Sequence, residues 1–151
     1  MIYFECNTDE ILVKALGFTK TERCHAGSKG EVCNKLSNSK NSKGLVDEDP
    51  ASPQPSYIQS LIEKNHEDMS LKKFFDSKRE NVLVVLCPRL EGWVLRAAEQ
   101  ADVDPLSFGL PNDEKNLHKQ GNTSLKQFEE FVQEIESRNN PMFNFLKSLL
   151  S

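Results

Sequence analysis

The least polar stretch of the chain is "NVLVVLCP" (81–88), a Val-Leu run with no polar residue between its apolar members. Such a run predicts a strand buried on both faces of a sheet rather than one with a wet side. The pattern elsewhere alternates between short apolar runs and helical stripes. "IYFE" (2–5) reads as a strand. A helix follows, with Ile11, Leu12, Ala15 and Leu16 on one face, a cap at Asn7 or Thr8, capping-box spacing from Asn7 to Glu10, and a stop at Gly17. A second strand is expected over 19–26. The loop "GSKG" (27–30) opens the helix "EVCNKL", with Val32 and Leu36 four apart. "LVDED" (45–49) is a third strand, and Pro50, Pro53 and Pro55 impose an irregular loop after it.

"SYIQSLIEKN" (56–65) reads as a helix with Ile58, Leu61 and Ile62 inward, and "SLKKFFDSKR" (70–79) as a strand or edge segment. "LEGWVLRAAEQA" (90–101) has Leu90, Val94, Ala97 and Ala98 at helical spacing, and 102–113 reads as a loop. Two helices close the chain. One carries Phe128, Phe131, Val132 and Ile135 on a stripe; the other carries Met142, Phe143, Phe145, Leu146, Leu149 and Leu150.

Strands alternating with helices predict an α/β fold: a mainly parallel, Rossmann-like central sheet with helices on both faces. The expected organisation is a single unit, with an α/β core over 1–101 and a helical extension over 102–151 packed on it. In such sheets, sites lie beyond the carboxyl ends of the strands. That rule gathers Glu5 after the first strand, Asp47 and Asp49 after the third, and Glu91 after the apolar strand onto one rim.

Composition narrows the classes. Mean hydropathy is −0.56, and no apolar run approaches the ~20 residues that cross a bilayer. The start "MIYFECNTDE" lacks the basic and apolar regions of a signal peptide, so no membrane association and a cytoplasmic location are expected. Cys6, Cys24, Cys33 and Cys87 form no C-x-x-C pair, which removes the usual zinc signature. The formal net charge of −4 is the opposite of what a phosphate-gripping protein usually carries. Basic residues cluster locally, however: Lys35, Lys40 and Lys43 within 32–46, and Lys72, Lys73, Lys78 and Arg79 within 71–79. These segments are expected to flank the acidic rim.

Convergent carboxylates without histidine or thiolate suit a hard, oxygen-seeking cation, Mg²⁺ or Mn²⁺. In an extended strand, Asp47 and Asp49 share one face and form a clamp, leaving Glu48 turned to solvent. Asp9 is explained most economically as a first-turn acid favouring its helix. Lys29 and Gly30, at a helix start, are the candidates for phosphate contact. His25 reads as structural, His66 and His118 as exposed bystanders, and Arg89 as a partner of nearby Glu91.

Together "YFECNTDEILVKALG", "HAGSKGEV" and "LVDEDP" resemble the TOPRIM domain found in topoisomerases, primases and OLD-family nucleases. Its motif is a glutamate after the first strand, commonly E-G-x-x-D, and an Asp-x-Asp after the third. Here these fall on Glu5, Asp9, Asp47 and Asp49. "GSKGEV" is most similar to the loop of small OLD-like members, and "CPRLEGWVL" resembles their late strand-helix segment, which adds Glu91 with Trp93 as its packing partner. The likeness covers roughly 1–100.

It implies metal-supported phosphodiester chemistry. Asp47, Asp49 and Glu5 would hold the ion, Glu5 would also serve as general acid or base, and Asp9 and Glu91 would be accessory. The implied role is a Mg²⁺-dependent nuclease or nucleic-acid processing protein. Cys6 stands where the motif has glycine, and no second catalytic region is evident, so topoisomerase activity is not expected from this chain alone. The alternative is a non-catalytic TOPRIM-like module binding a protein partner or nucleic-acid end, or a homodimer, through the apolar helix over 141–150. A third reading, a phosphoryl-accepting receiver pocket, lacks the paired acids that such a site needs after the first strand.

Overall fold

The computed structural model describes all 151 residues. Six strands form one mixed sheet: β1 (Ile2–Phe4), β2 (Arg23–His25), β3 (Lys43–Asp47), β4 (Ile62–His66), β5 (Leu71–Asp76) and β6 (Asn81–Leu86), in the order β2-β1-β3-β6-β5-β4. The neighbours among β2, β1, β3 and β6 pair in parallel, whereas β5 pairs antiparallel with both β6 and β4. Seven helices accompany it: α1 (Asn7–Ala15), α2 (Lys29–Ser37), α3 (Ser56–Gln59), α4 (Leu90–Gln100), α5 (Glu114–Gly121), α6 (Leu125–Ser137) and α7 (Pro141–Leu150). The fold is thus α/β with a mostly parallel sheet.

The Val-Leu run of β6 is buried at every position. Its side chains alternate between two cores: Val82, Val84 and Leu86 enter the larger one, Leu83 and Val85 the smaller. The larger core joins β1, α1, α4, α6 and α7 through residues such as Phe4, Leu12, Trp93, Phe131 and Leu146. The smaller lies under α2 and α3, with Val32, Leu36 and Ile58. A sheet covered on both faces needs apolar residues at successive positions, which is why β6 shows no alternation. Close approach also has a sequence mark. A methyl on Gly44 in β3 would stand 2.8 Å from Leu83 Cδ1 and 2.9 Å from Leu36 Cδ1, so α2 rests directly on the strand there.

The strand expected over 19–26 is confined to Arg23–His25, after a 3-10 turn over Lys20–Glu22, and the expected loop over 102–113 holds a 3-10 turn at Pro105–Phe108; two departures are larger. The helix expected over 56–65 ends at Gln59, and Ile62–His66 is instead β4, the edge of a hairpin with β5. Ile58 is buried, but Ile62 is 62% exposed, so the i, i+4 spacing is not an inward stripe. Glu63 and Lys64 put charge on the free edge, a usual defence against edge-to-edge pairing. The second departure is α5, in a segment with no element assigned, where Asp113 caps the helix by accepting from Asn116 N and Leu117 is buried.

The apolar side of α7 faces inward. Met142, Phe143, Leu146 and Leu150 are buried, and Phe145 and Leu149 pack partly against the larger core. Phe143 stacks on Trp93 with ring centroids 5.5 Å apart. No large apolar side chain of this helix is exposed. At the sheet edge where β6 begins, Asn81 Nδ2 donates to Leu36 O and Ser39 O while its Oδ1 accepts from Ser42 N. That side chain ties α2, β3 and β6 together. No helix is long and apolar enough to cross a membrane.

Candidate functional site

The parallel strands β2, β1, β3 and β6 all end on one edge of the sheet, and the segments leaving them wall a cavity of about 740 Å³. Glu5 and Cys6 follow β1, and Gly27, Lys29 and Gly30 follow β2. Asp47, Asp49 and Ser52 through Pro55 come from the end of β3 and its loop, Arg89 follows β6, and His118 reaches in from α5. Five residues singled out in the sequence, Glu5, Lys29, Gly30, Asp47 and Asp49, therefore line one space. Asp9 and Glu91 lie behind it, each only 2% exposed.

Backbone amides hold the acids. Glu5 Oε2 accepts from Asp47 N at 3.0 Å, which links β1 to β3, and Asp47 Oδ1 accepts from Leu90 N at 2.8 Å, which links β3 to the start of α4. Asp9 Oδ2 accepts from Glu5 N at 3.0 Å and Cys6 N at 2.9 Å. Asp9 thus reaches back to cap α1, whose N-cap is Cys6 rather than the expected Asn7 or Thr8. Cys6 Sγ rests 3.1 Å from Thr8 Oγ1.

Burial dominates the electrostatics. Desolvation pushes Asp47 up to about 8, with Asp9, Glu91 and Glu5 adding like-charge repulsion against the single bond from Leu90 N. Desolvation likewise lifts Asp9 to about 7, with Glu5 adding to it, against the bonds from Cys6. Glu5 is raised as well, chiefly by burial, although its bond from Asp47 N and the Lys29 ammonium oppose this. Glu91 Oε1 lies 3.1 Å from His118 Nδ1, while its Oε2 is buried with no hydrogen-bond partner.

Asp49 behaves differently from Asp47. β3 ends at Asp47, and Asp49 adopts a left-handed φ of +40°, so the two acids are not successive members of one extended face. Asp49 Oδ2 accepts from Ser52 Oγ at 2.7 Å and its Oδ1 from Arg89 Nη2 at 3.4 Å. The Ser52 bond and the Arg89 charge hold its carboxyl below the usual range. Arg89 therefore serves Asp49 rather than Glu91. Glu48 is no bystander either, because Lys72 pairs with it at 3.0 Å.

Other assignments shift for equally local reasons. Lys29 Nζ donates to Glu48 O at 2.8 Å and Gln54 Oε1 at 2.6 Å, so it buttresses the β3–α3 loop from within the cavity wall. Trp93 is two residues from Glu91 and turns to another side of α4, where its Nε1 donates to Met69 O at 2.8 Å. The lysines of 32–46 do not flank the rim: Lys43 starts β3, at the far edge of the sheet. Of the 71–79 group, Lys72 lies beside the carboxyl end of β6 and flanks the acidic cluster by pairing with Glu48, whereas Lys78 and Arg79 sit in the β5–β6 turn beside Asp76, far from the carboxyl ends. The cations that do border the cavity are Lys29 and Arg89, with Lys115 and Lys119 on α5 lining an adjoining hollow with Arg89 and His118. Lys115 and Lys119 were missed in the sequence, and His118, expected to be an exposed bystander, lines the cavity and meets Glu91; the signal that could have found them is Asp113 as a cap ahead of Leu117.

No family model, curated protein or solved structure matches this chain.

The cavity can take up positive charge. Buried carboxylates that repel one another and an orphaned Glu91 oxygen are relieved by a proton or a cation, and the carboxylates suit Mg²⁺ or Mn²⁺, although Cys6 and His118 also line the space, contrary to the expectation of a site without histidine or thiolate. The fit is one of donor chemistry and charge; as the side chains stand, no three of the His, Cys, Asp and Glu groups form a metal-holding set.

Proposed function

We propose that this chain is a TOPRIM-like protein that acts on nucleic-acid phosphodiesters with the help of a divalent cation. The observation that carries the reading is the crowding of Glu5, Asp47, Asp9 and Glu91 where parallel strands end, with Asp47 and Asp9 pushed to about 8 and about 7. Acids made this costly to ionise occur preferentially at functional sites. The succession of a glutamate after β1 and an Asp-x-Asp that begins on the last residue of β3 supports the TOPRIM resemblance.

Glu5, Asp47 and Asp49 would hold Mg²⁺ or Mn²⁺, with Glu91 as an accessory donor. The ion would offset charge developing on phosphoryl oxygens and lower the pKa of a bound water. Glu5, raised by burial and facing Lys29, is suited to exchange a proton with the attacking water or the leaving oxygen. Arg89, on the same wall, orients Asp49 and adds a positive charge for a phosphate. Asp9 acts through position: it pins the Glu5 and Cys6 amides and so sets where Glu5 stands.

Nicking of supercoiled plasmid in Mg²⁺ or Mn²⁺ tests the reading, and the activity should vanish in Asp47→Asn and Glu5→Gln. If single- and double-stranded DNA and RNA all survive intact with either ion, the catalytic claim is wrong. One observation favours a second reading, a non-catalytic module for a partner or nucleic-acid end: Cys6 lines the cavity at the motif's glycine position. Cation binding and nucleic-acid capture without cleavage would select it.

A further inference from the structure

The cavity has a continuation. Beside it lies a hollow of about 380 Å³ lined by Arg89, Glu114, Lys115, His118 and Lys119, and Arg89 and His118 border both spaces. α5 supplies four of the five lining residues, and Lys115, His118 and Lys119 are all exposed. At positions i, i+3 and i+4 they share one face of the helix. The buried Leu117 holds α5 to the body, so that face is fixed beside the carboxylates.

The charge here runs against that of the whole chain. The protein carries −4, yet Arg89, Lys115 and Lys119 meet at one mouth with Glu114 as the single acid among the lining residues. Lys14, Arg23, Lys72, Arg79, Arg89 and Arg138 each pair with a carboxylate, Arg89 with Asp49, whereas Lys115 and Lys119 pair with none. Glu114 stands against α4: a methyl on Gly92 would lie 2.8 Å from its Oε2. Two unpaired ammonium groups beside a phosphodiester site form an anion-attracting approach.

Neither space has a Phe, Tyr or Trp in its lining. Single-strand binders rely on aromatic platforms on which bases stack, and none is offered here. Contact limited to lysine and arginine reads the backbone, not the bases.

We infer that the Lys115 and Lys119 face of α5, with Arg89 at the start of α4 beside it, is a docking surface for the phosphate backbone of a nucleic-acid duplex, bound without sequence preference and led from there into the carboxylate cavity. This rests on the phosphodiester reading above, but binding is measured apart from cleavage.

The test is fluorescence anisotropy of a labelled DNA duplex of about twenty base pairs, in EDTA, across about 50–200 mM salt. The double variant Lys115→Glu, Lys119→Glu should weaken binding at least tenfold at the low-salt end. Its log–log salt slope should be shallower by about 2, for two lost phosphate contacts. Lys35→Glu, Lys40→Glu serves as the control, because both pairs change exposed lysines and take the net charge from −4 to −4 − 4 = −8. Equal weakening by both pairs would reduce the effect to overall charge and overturn the inference.

Tighter binding of the single strand than of the duplex, or no wild-type binding at low salt, would also overturn it. A duplex of RNA bound as well as DNA would support it, since the backbone charge is shared. Duplex bound through α5 but never cleaved would leave the inference standing and remove only the nuclease claim. Plasmid nicked equally well by wild type and the α5 variant, with unchanged duplex affinity, would do the reverse.

Discussion

Replacing Asp47 by Asn probes the crowded carboxylates directly. Asp47 keeps its proton in the folded chain up to about pH 8, against an ordinary value of 3.8. Between those limits the folded state holds a proton that the unfolded state has lost, so stability falls as pH rises, by about 1.4 kcal/mol per pH unit for one group. From pH 6 to 8 Asp47 thus removes about 2.7 kcal/mol. Asp9, which ionises near pH 7, removes about 1.4 kcal/mol more between pH 6 and 7. The wild type in EDTA should lose roughly 4 kcal/mol over this interval, which for a chain of this size corresponds to a fall in Tm of roughly 8–16 °C.

The amide introduced by Asp47→Asn would be neutral throughout and would keep an oxygen to accept from Leu90 N. The variant should therefore lose only about 1.4 kcal/mol, or roughly 3–6 °C. Thermal unfolding by circular dichroism at pH 6, 7, 8 and 9 measures the difference. Parallel curves for the two proteins, or a wild-type Tm that rises with pH, would refute the reasoning.

Two further outcomes concern the scaffold. Gly44→Ala adds a methyl within 3.0 Å of atoms on Leu83, Leu36 and Val32, so urea denaturation should show a loss of about 1–3 kcal/mol; an unchanged midpoint would mean that α2 is free to shift. Asn81→Ala strands the buried Ser42 amide and two carbonyls and should cost on the order of 3 kcal/mol. Amide exchange at Ser42 should quicken, and full protection there would show that another group takes over the bond.

The sequence by itself determined the elements whose side chains meet a uniform environment. A Val-Leu run fits only between two apolar layers, and β6 is buried at every position. The stripes at Phe128, Phe131, Val132 and Ile135, and at Met142, Phe143 and Leu146, became buried faces of α6 and α7. The α/β class, and the gathering of segments at the carboxyl ends of parallel strands, followed from the order of such elements.

Tertiary structure decided whatever depended on a partner far along the chain. Residues 62–66 became a strand because β5 offered an unpaired edge, and backbone pairing outweighed a short helical stripe. Asp47 and Asp49 parted because the chain turns left-handed at Asp49, where Ser52 and Arg89 receive its carboxylate. α5 and its histidine came to the cavity only through burial of Leu117 and contact with Glu91, across 27 residues of chain. Local spacing records which faces of a segment are apolar. Which charge meets which is settled only once desolvation and distance are known, and both are properties of the folded chain.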